Sequence, residues 1–306
     1  MMTTAQLIKN LETPTHKIDV ILDTDAYNEI DDQFAISYML CSPERLNVKA
    51  FCAAPFLNSK SVSPEDGMYR SYEELLKLLK LADREDMIPH VYKGSTCYLP
   101  DEQTPVPSDA ATYMANLANE YSVENPLYIV AIGAITNVAS ALLMNPEMKE
   151  KVVIVWLGGH AHHWKHNGEF NLMQDVAAAR IVFGCGVPFV QLPCCGVVDR
   201  FTVSKPELLY WLKDKNPLAN YLAENTIAAA DKYAAGIPWT RVIWDVTAVG
   251  WLLNDNQRFM NDELRHSPIP EYDDRYAFDN TRHFMKYVTN INRDELFRDL
   301  FTKLVK

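Results

Sequence analysis

Short apolar runs alternate with helical patterns over the first two thirds of the chain. Apolar, β-rich runs that predict strands occupy 18–22, 46–54, 90–92, 127–132, 152–157 and 188–192. Helical patterns, amphipathic in the first case, cover 31–41, 65–81, 110–121, 136–144 and 175–183. Strands that alternate with helices indicate a parallel sheet covered on both faces. We therefore predict an α/β fold with an open, mostly parallel, Rossmann-like sheet flanked by helices.

The last third of the chain has a different pattern. Helical periodicity dominates it at 206–213, 217–233, 245–253 and 294–306, with an aromatic-rich stretch at 271–288. No linker rich in Gly, Pro or Ser separates two units. We predict a single domain, residues 1–306, in which a helical C-terminal portion packs on the α/β part.

Composition and charge exclude several classes of protein. The 306 residues include 29 basic and 40 acidic side chains, for a net charge of −11. Such a chain lacks the basic surface that binds nucleic acid or anionic lipid. No apolar run approaches the roughly 20 residues of a membrane helix, and residues 1–20 lack the apolar core of a signal peptide. Six cysteines without a CxxC pair are typical of reduced thiols. We expect a cytoplasmic protein with no nucleic-acid or membrane partner.

A dense group of carboxylates follows the first predicted strand. Asp23 and Asp25 end that strand, Asp31 and Asp32 begin the next helix, and Glu29 lies between the two pairs. In open α/β sheets, ligands bind beyond the carboxyl ends of the strands. Carboxylates at this density repel one another, and hard oxygen ligands favour Ca²⁺ or Mg²⁺. A metal site and a capped, solvated acidic loop are the two interpretations.

The cluster resembles the N-terminal DxDxxxDD motif of the nucleoside hydrolases, the inosine-uridine preferring family. The pattern lies at 23–32, with two more residues between the acidic pairs than the family usually has. Three later segments are similar to family segments in the same order: AIGAITNVASAL at 131–142, GEFNLMQDVAAA at 168–179 and VIWDVTAV at 242–249. The resemblance implies a hydrolase that cleaves the N-glycosidic bond of ribonucleosides. It also implies a homodimer or homotetramer.

The matching acidic positions imply a calcium site. Asp25, Asp32, Asp245 and the backbone carbonyl of Thr136 would ligate Ca²⁺, and Asp23 would support these ligands from behind. Asp25 would also act as the general base that activates a metal-bound water. Water attack on the anomeric carbon builds positive charge on the sugar, which neighbouring carboxylates stabilise.

The other matches imply contacts with the substrate. Asp31 would bind a ribose hydroxyl, Asn171 would bind the 2′- and 3′-hydroxyls, and Glu169 would bind the 5′-hydroxyl. Contacts of this kind orient the reacting groups. DNA nucleosides, which lack the 2′-hydroxyl, should then react poorly.

Trp244 departs from the family pattern, because many members have there a His that protonates the leaving base. An indole stacks on a base but donates no useful proton at pH 7. In the family, Trp at this position accompanies purine specificity, so we expect a purine preference. The alternative is that Trp244 belongs to the core.

Two loops supply further candidates. The His-rich loop before Glu169 contains His160 and His163, and we expect one of the two to face the pocket without choosing between them. After the second predicted strand, Asn58 is the candidate for a sugar contact, with a role in a turn as the alternative.

Three other functions stay open. The same fold and metal would serve a different N- or O-riboside if the loops reshape the pocket. A haloacid-dehalogenase-type phosphatase would use Asp23 as nucleophile with Mg²⁺, although Tyr27 stands where those enzymes usually have Thr or Val. A non-catalytic module would bind a nucleoside or a metal without turnover.

Overall fold

The computed structural model describes residues 2–306, which fold around an eight-stranded sheet. The strands are β1 (Ile18–Thr24), β2 (Leu46–Ala53), β3 (Val91–Lys93), β4 (Leu127–Ala131), β5 (Val152–Leu157), β6 (Phe189–Leu192), β7 (Thr202–Ser204), β8 (Thr240–Val242), β9 (Met260–His266), β10 (Ile269–Glu271), β11 (Arg275–Ala277) and β12 (Phe284–Ile291). The α-helices are α1 (Thr4–Asn10), α2 (Asp31–Leu40), α3 (Pro64–Leu81), α4 (Asp109–Leu117), α5 (Thr136–Met144), α6 (Phe170–Gln174), α7 (Val176–Gly184), α8 (Lys205–Trp211), α9 (Pro217–Ala234), α10 (Val246–Leu252) and α11 (Arg293–Leu304).

The sheet has the strand order β3-β2-β1-β4-β5-β6-β12-β9. Neighbouring strands are parallel except for the last pair, in which β9 runs antiparallel to β12. The predicted α/β fold with a mostly parallel sheet is therefore confirmed. The order reverses between β1 and β4, and the crevice at such a switch point is where open sheets bind ligands.

Both faces of the sheet are buried, as the continuous Val and Ile runs predict. On β4, Ile129 packs with the cluster that includes α4, α5 and α7, whereas Val130 packs with the cluster that includes α2, α10 and α11. Every residue of β4 and β5 is buried. These two strands form a rigid base from which loops project at the carboxyl end.

The C-terminal portion is not all helical, and this part of the prediction is wrong. β9 and β12 extend the main sheet, and the aromatic-rich stretch at 271–288 contains β11 and the start of β12. β9 lies at an edge and has three polar or charged residues in a row, so its sequence lacks the apolar run of a central strand.

The first helix after the acidic loop also differs from its predicted amphipathic character. All ten residues of α2 are buried, because α3, α9, α10 and α11 pack around it. Buried polar residues in its middle bond to neighbouring groups; Gln33, for example, donates to Glu74 of α3 at 3.0 Å. Within residues 2–306, none of the helices combines the length and the apolarity that crossing a bilayer requires.

Candidate active site

A cavity of about 250 Å³ opens at the carboxyl ends of the central strands. Ligand pockets in proteins have volumes of roughly 300–1,000 Å³, so this one suits a small ligand. It is lined by Asp25, Asn28, Glu29, Asp31, Asp32, Ile132, Leu157, His160, Gly168, Glu169, Phe170, Asn171, Cys194, Cys195, Trp244 and Asp245.

Four aspartates from two distant parts of the chain meet in this cavity. Asp25 follows β1, Asp31 and Asp32 begin α2, and Asp245 directly precedes α10. Carboxylate oxygens of Asp31, Asp32 and Asp245 lie within 4.8 Å of one another. Asp25 lines the same cavity, close enough to Asp32 and Asp31 for their charges to act on its pKa. Each of the four is at most 3% exposed, and all four line the cavity.

Burial and mutual repulsion make the ionised cluster costly. Burial, and then the charges of Asp32 and Asp31, raise the pKa of Asp25 well above its ordinary value. Burial is also the main cause that raises the pKa of Asp32 to about 6. Both carboxylate oxygens of Asp25 and one of Asp31 are buried and have no hydrogen-bond partner among residues 2–306. A hard divalent cation would neutralise this group and use the unpaired oxygens, so the donor set fits such an ion.

Asp23 lies behind the cluster rather than in the cavity. It is fully buried, and its Oδ1 accepts a hydrogen bond from Asn137 Nδ2 at 2.8 Å. Burial raises its pKa to about 7. A nucleophile must reach its substrate, so this placement argues against the phosphatase hypothesis. On the same strand, the Thr24 hydroxyl donates to Asp32 Oδ1 at 2.6 Å and orients that carboxylate.

We expect the metal-free protein to be less stable at pH 7.5 than at pH 5. Asp23 and Asp32 have raised folded-state pKa values of about 7 and about 6, against 3.8 as their ordinary value. The unfolded chain therefore loses these protons first, and the free energy of unfolding falls as pH rises from about 4 to about 7. The loss is on the order of a few kcal/mol.

Urea unfolding in EDTA at the two pH values measures this difference. Asp32→Asn should flatten the pH dependence, whereas Asp19→Asn, at the far end of β1, should keep it. Stability that rises between pH 5 and pH 7.5 without metal would contradict the expectation.

Thr136 is the first residue of α5 and lies outside the residues that line the cavity. It is buried, and its hydroxyl donates to Asp175 Oδ2 at 2.6 Å. Asp175 in turn caps α7 by accepting from the backbone N–H of Ala178 at 2.9 Å. The side chain of Thr136 is therefore used to fix the helix start that follows β4.

Two predicted substrate contacts, Asn171 and Glu169, lie in the cavity wall at the start of α6. Asn171 Nδ2 donates to the carbonyls of Ile132 and Leu157, at 3.3 and 3.0 Å, and so bridges the ends of β4 and β5. Glu169 caps α6, accepting from the backbone N–H groups of Asn171 and Leu172 at 2.9 and 3.0 Å. Burial raises the pKa of Glu169.

Trp244 lines the cavity and also packs, half-buried, against the core. The antiparallel pairing of β7 with β8 positions this residue. Directly after β8, the backbone N–H of Ile243 donates to the carbonyl of Phe201 at 2.9 Å and extends the pairing. The same short segment leads directly into Asp245. Two adjacent residues thus supply an aromatic face and a carboxylate to one cavity.

The loop candidates divide between the cavity and the surface. His160 is buried and lines the cavity, whereas His163 is exposed and lies outside the lining. Asn58 also lies outside the lining, but its Nδ2 donates to Asn28 Oδ1 at 2.6 Å. Asn58 therefore positions a residue that lines the cavity.

Asn28 and Glu29, which sequence reasoning did not select, come from the longer spacing between Asp25 and Asp31. Lys60 Nζ donates to the backbone carbonyl of Asn28 at 2.6 Å, and Arg241 forms an ion pair with Glu29. The extra residues thus form part of the cavity wall. The two extra residues between the acidic pairs were the feature of the sequence that could have pointed to these positions.

Comparisons with known proteins agree with this geometry. The sequence model described as inosine-uridine preferring nucleoside hydrolase matches residues 20–297. The chain belongs to this family. A pyrimidine-specific ribonucleoside hydrolase, RihA, of Salmonella arizonae is 31% identical over 228 residues, covering 68% of this chain and 70% of the relative.

Solved structures show the same fold. A plant nucleoside hydrolase, the PpNRh1 enzyme, has a TM-score of 0.74 at 22% identity, covering 94% of this chain and 99% of its own. A purine-preferring ribonucleoside hydrolase from Gardnerella vaginalis has a TM-score of 0.74 at 20% identity, covering 94% and 98%. This nucleoside hydrolase is a glycosidase that acts on ribonucleosides, and its buried aspartates are able to bind a metal ion.

Proposed function

We propose that this nucleoside hydrolase uses Ca²⁺ at the aspartate cluster to release the base from purine ribonucleosides. The main support is the convergence of Asp25, Asp31, Asp32 and Asp245 in a cavity that also contains Trp244. A sugar held at the aspartates would have its base within reach of an aromatic face.

Asp25, Asp32 and Asp245 are the proposed side-chain ligands of the ion, with the backbone carbonyl of Thr136. A bound Ca²⁺ would lower the pKa of a coordinated water and hold two sugar hydroxyls. Asp25 then accepts the proton of the attacking water, since neither of its oxygens has a hydrogen-bond partner in the described part of the chain. Asp31 binds a ribose hydroxyl.

The remaining groups orient the sugar and the base. Asn171, fixed by the ends of β4 and β5, places its carbonyl oxygen for the 2′- and 3′-hydroxyls. The carboxylates stabilise the positive charge that develops as the bond to the base breaks. Trp244 provides a stacking surface, which favours the larger ring system of a purine.

The proposed function is tested by reducing-sugar release from a panel of nucleosides, with Ca²⁺ and with EDTA. We expect ribose from inosine, adenosine and guanosine at higher kcat/KM than from uridine and cytidine, and little release from deoxynucleosides. Uridine or cytidine as the best substrate would overturn the purine preference alone. No release from any riboside with Ca²⁺ would overturn the proposed function.

A different N- or O-riboside is the second candidate substrate, because Asn28 and Glu29 reshape the cavity wall. Alkyl and aryl ribosides added to the panel test it. A thermal shift with a nucleoside but no turnover would instead indicate a binding module.

Trp244→Ala should lower kcat/KM for purine nucleosides about 10- to 100-fold, because stacking on an aromatic side chain contributes about 1–3 kcal/mol per base. The loss for pyrimidine nucleosides should be smaller. Trp211→Ala removes a tryptophan that is 48% exposed and outside the cavity, and it should leave both activities unchanged. Equal losses for purines and pyrimidines would show that Trp244 acts only through packing.

A further inference from the structure

The imidazole of His160 is fixed in the cavity wall in one tautomer. Its Nδ1 accepts a hydrogen bond from the backbone N–H of Cys195 at 3.3 Å, and its own backbone N–H donates to Asn167 Oδ1 at 2.6 Å. Because Nδ1 is an acceptor, the proton of the neutral ring is on Nε2. Nε2 has no hydrogen bond to any other part of the chain from 2 to 306, so its N–H is available to a ligand.

His160 is a neutral donor rather than a cation. Burial is the main cause that lowers its pKa, with a contribution from His166. The side chain is only 8% exposed. At neutral pH it therefore offers an N–H group without a positive charge beside the acidic cluster.

The adjacent carboxylate, Glu169, has little capacity left for a ligand. Backbone N–H groups of Gly159, Asn171 and Leu172 donate to its two oxygens at 2.7, 2.9 and 3.0 Å. Cys194 lines the same part of the cavity wall. A carboxylate has about four lone-pair sites, so these three donors occupy most of the acceptor capacity of Glu169. A polar group of the substrate that reaches this wall meets a free donor, His160, beside a carboxylate that is already largely used by backbone N–H groups.

The 5′-oxygen is the substrate group that fits this position, given the proposed function. The diol is assigned to the aspartates after β1, and the base on C1′ is assigned to Trp244. β1 and β5 are separated by β4, which places the loop after β5 about 10 Å away across the cavity. The 5′-arm is the remaining part of ribose that extends from the ring with a polar atom.

We propose that His160 donates a hydrogen bond from Nε2 to the 5′-oxygen, and that the enzyme accordingly accepts ribosides whose 5′-oxygen carries no proton. The inference rests on the proposed function and adds a substrate class to it, 5′-O-alkyl ribosides. An acceptor-type site at this position would reject these compounds, because it needs a hydroxyl proton from the substrate.

Three ligands separate the alternatives: a parent nucleoside, its 5′-deoxy analogue and its 5′-O-methyl analogue, in the adenosine and uridine series. In whichever of the two series the parent nucleoside reacts faster, we expect the 5′-deoxy compound to have about tenfold lower kcat/KM than the parent. The kcat/KM of the methyl ether should stay close to that of the parent. A methyl ether as poor as the 5′-deoxy compound would overturn the proposal.

The variants assign this preference to one residue. His160→Ala should lose about tenfold on the parent and no longer distinguish it from the 5′-deoxy compound. His160→Gln, which keeps an N–H donor, should recover part of the distinction, and His163→Ala should behave as wild type. A His160→Ala enzyme that still discriminates against the 5′-deoxy compound would overturn the assignment.

Failure of the proposed function would be recognised separately, because wild-type protein would then release no ribose from adenosine or from uridine. Calorimetric binding of the same three ligands to wild-type and His160→Ala protein still ranks them in that case. Loss of the ranking in the variant would support the His160 contact, and an unchanged ranking would exclude it.

Discussion

Asp25→Asn should lower kcat about 10³-fold, within the range of 10²–10⁴ that a general base contributes. The asparagine has nearly the same shape but cannot take a proton from the attacking water. Both Asp25 oxygens are buried and accept no hydrogen bond from residues 2–306, so the variant should fold normally. Kinetics of ribose release measure the loss, and circular dichroism checks the fold.

Asp19→Asn is the matched control for this variant. Asp19 lies near the start of β1, whereas Asp25 follows the other end of this strand. Asp19 Oδ2 accepts a hydrogen bond from the Tyr121 hydroxyl at 2.6 Å, away from the cavity. We expect near wild-type kcat from it. An Asp25→Asn enzyme that keeps a tenth of the wild-type kcat would show that another group is the base.

Saturating Ca²⁺ should raise the melting temperature by about 5–10 °C over the EDTA-treated protein. An ion at 100 times its Kd that binds only the folded state adds about 2.7 kcal/mol, and 1 kcal/mol shifts the midpoint by about 2–4 °C in proteins near this size. The repulsion among Asp25, Asp31, Asp32 and Asp245 is relieved at the same time. Differential scanning fluorimetry measures the shift.

Asp245→Asn removes one ligand and should abolish most of this shift. The metal-free variant should melt no lower than metal-free wild type, since it has one fewer buried acidic group. Mg²⁺ serves as the comparison ion, because it demands a smaller and stricter octahedral site. A shift with Mg²⁺ larger than with Ca²⁺ would contradict the assignment of calcium, and no shift with either ion would contradict the metal site.

The sequence was informative about the fold where strands are buried on both faces. β4 and β5 are continuous apolar runs, and their limits could be predicted to within a residue. β9 could not, because an edge strand needs only one apolar face. The complete burial of α2 depends on α10 and α11, which pack on it from more than 200 residues away in the chain.

The site was predictable where a residue's type and chain position determine its place. Asp25 and Asp32 follow from a strand end and a helix start, and Asp245 came from the family resemblance. The choice between His160 and His163 depends on the path of an irregular loop, which has no period to follow. Glu29 was not predicted because its position depends on an ion pair with Arg241, over 200 residues later.

In the proposed function, one divalent ion, held by Asp25, Asp32 and the distant Asp245, also binds the sugar. A crystal structure of the protein grown with Ca²⁺ and ribose tests it most directly. We expect a single ion about 2.3–2.6 Å from oxygens of Asp25, Asp32 and Asp245, with two ribose hydroxyls coordinating the same ion. Ribose bound away from the ion, or calcium bound elsewhere while these carboxylates contact only water, would contradict it.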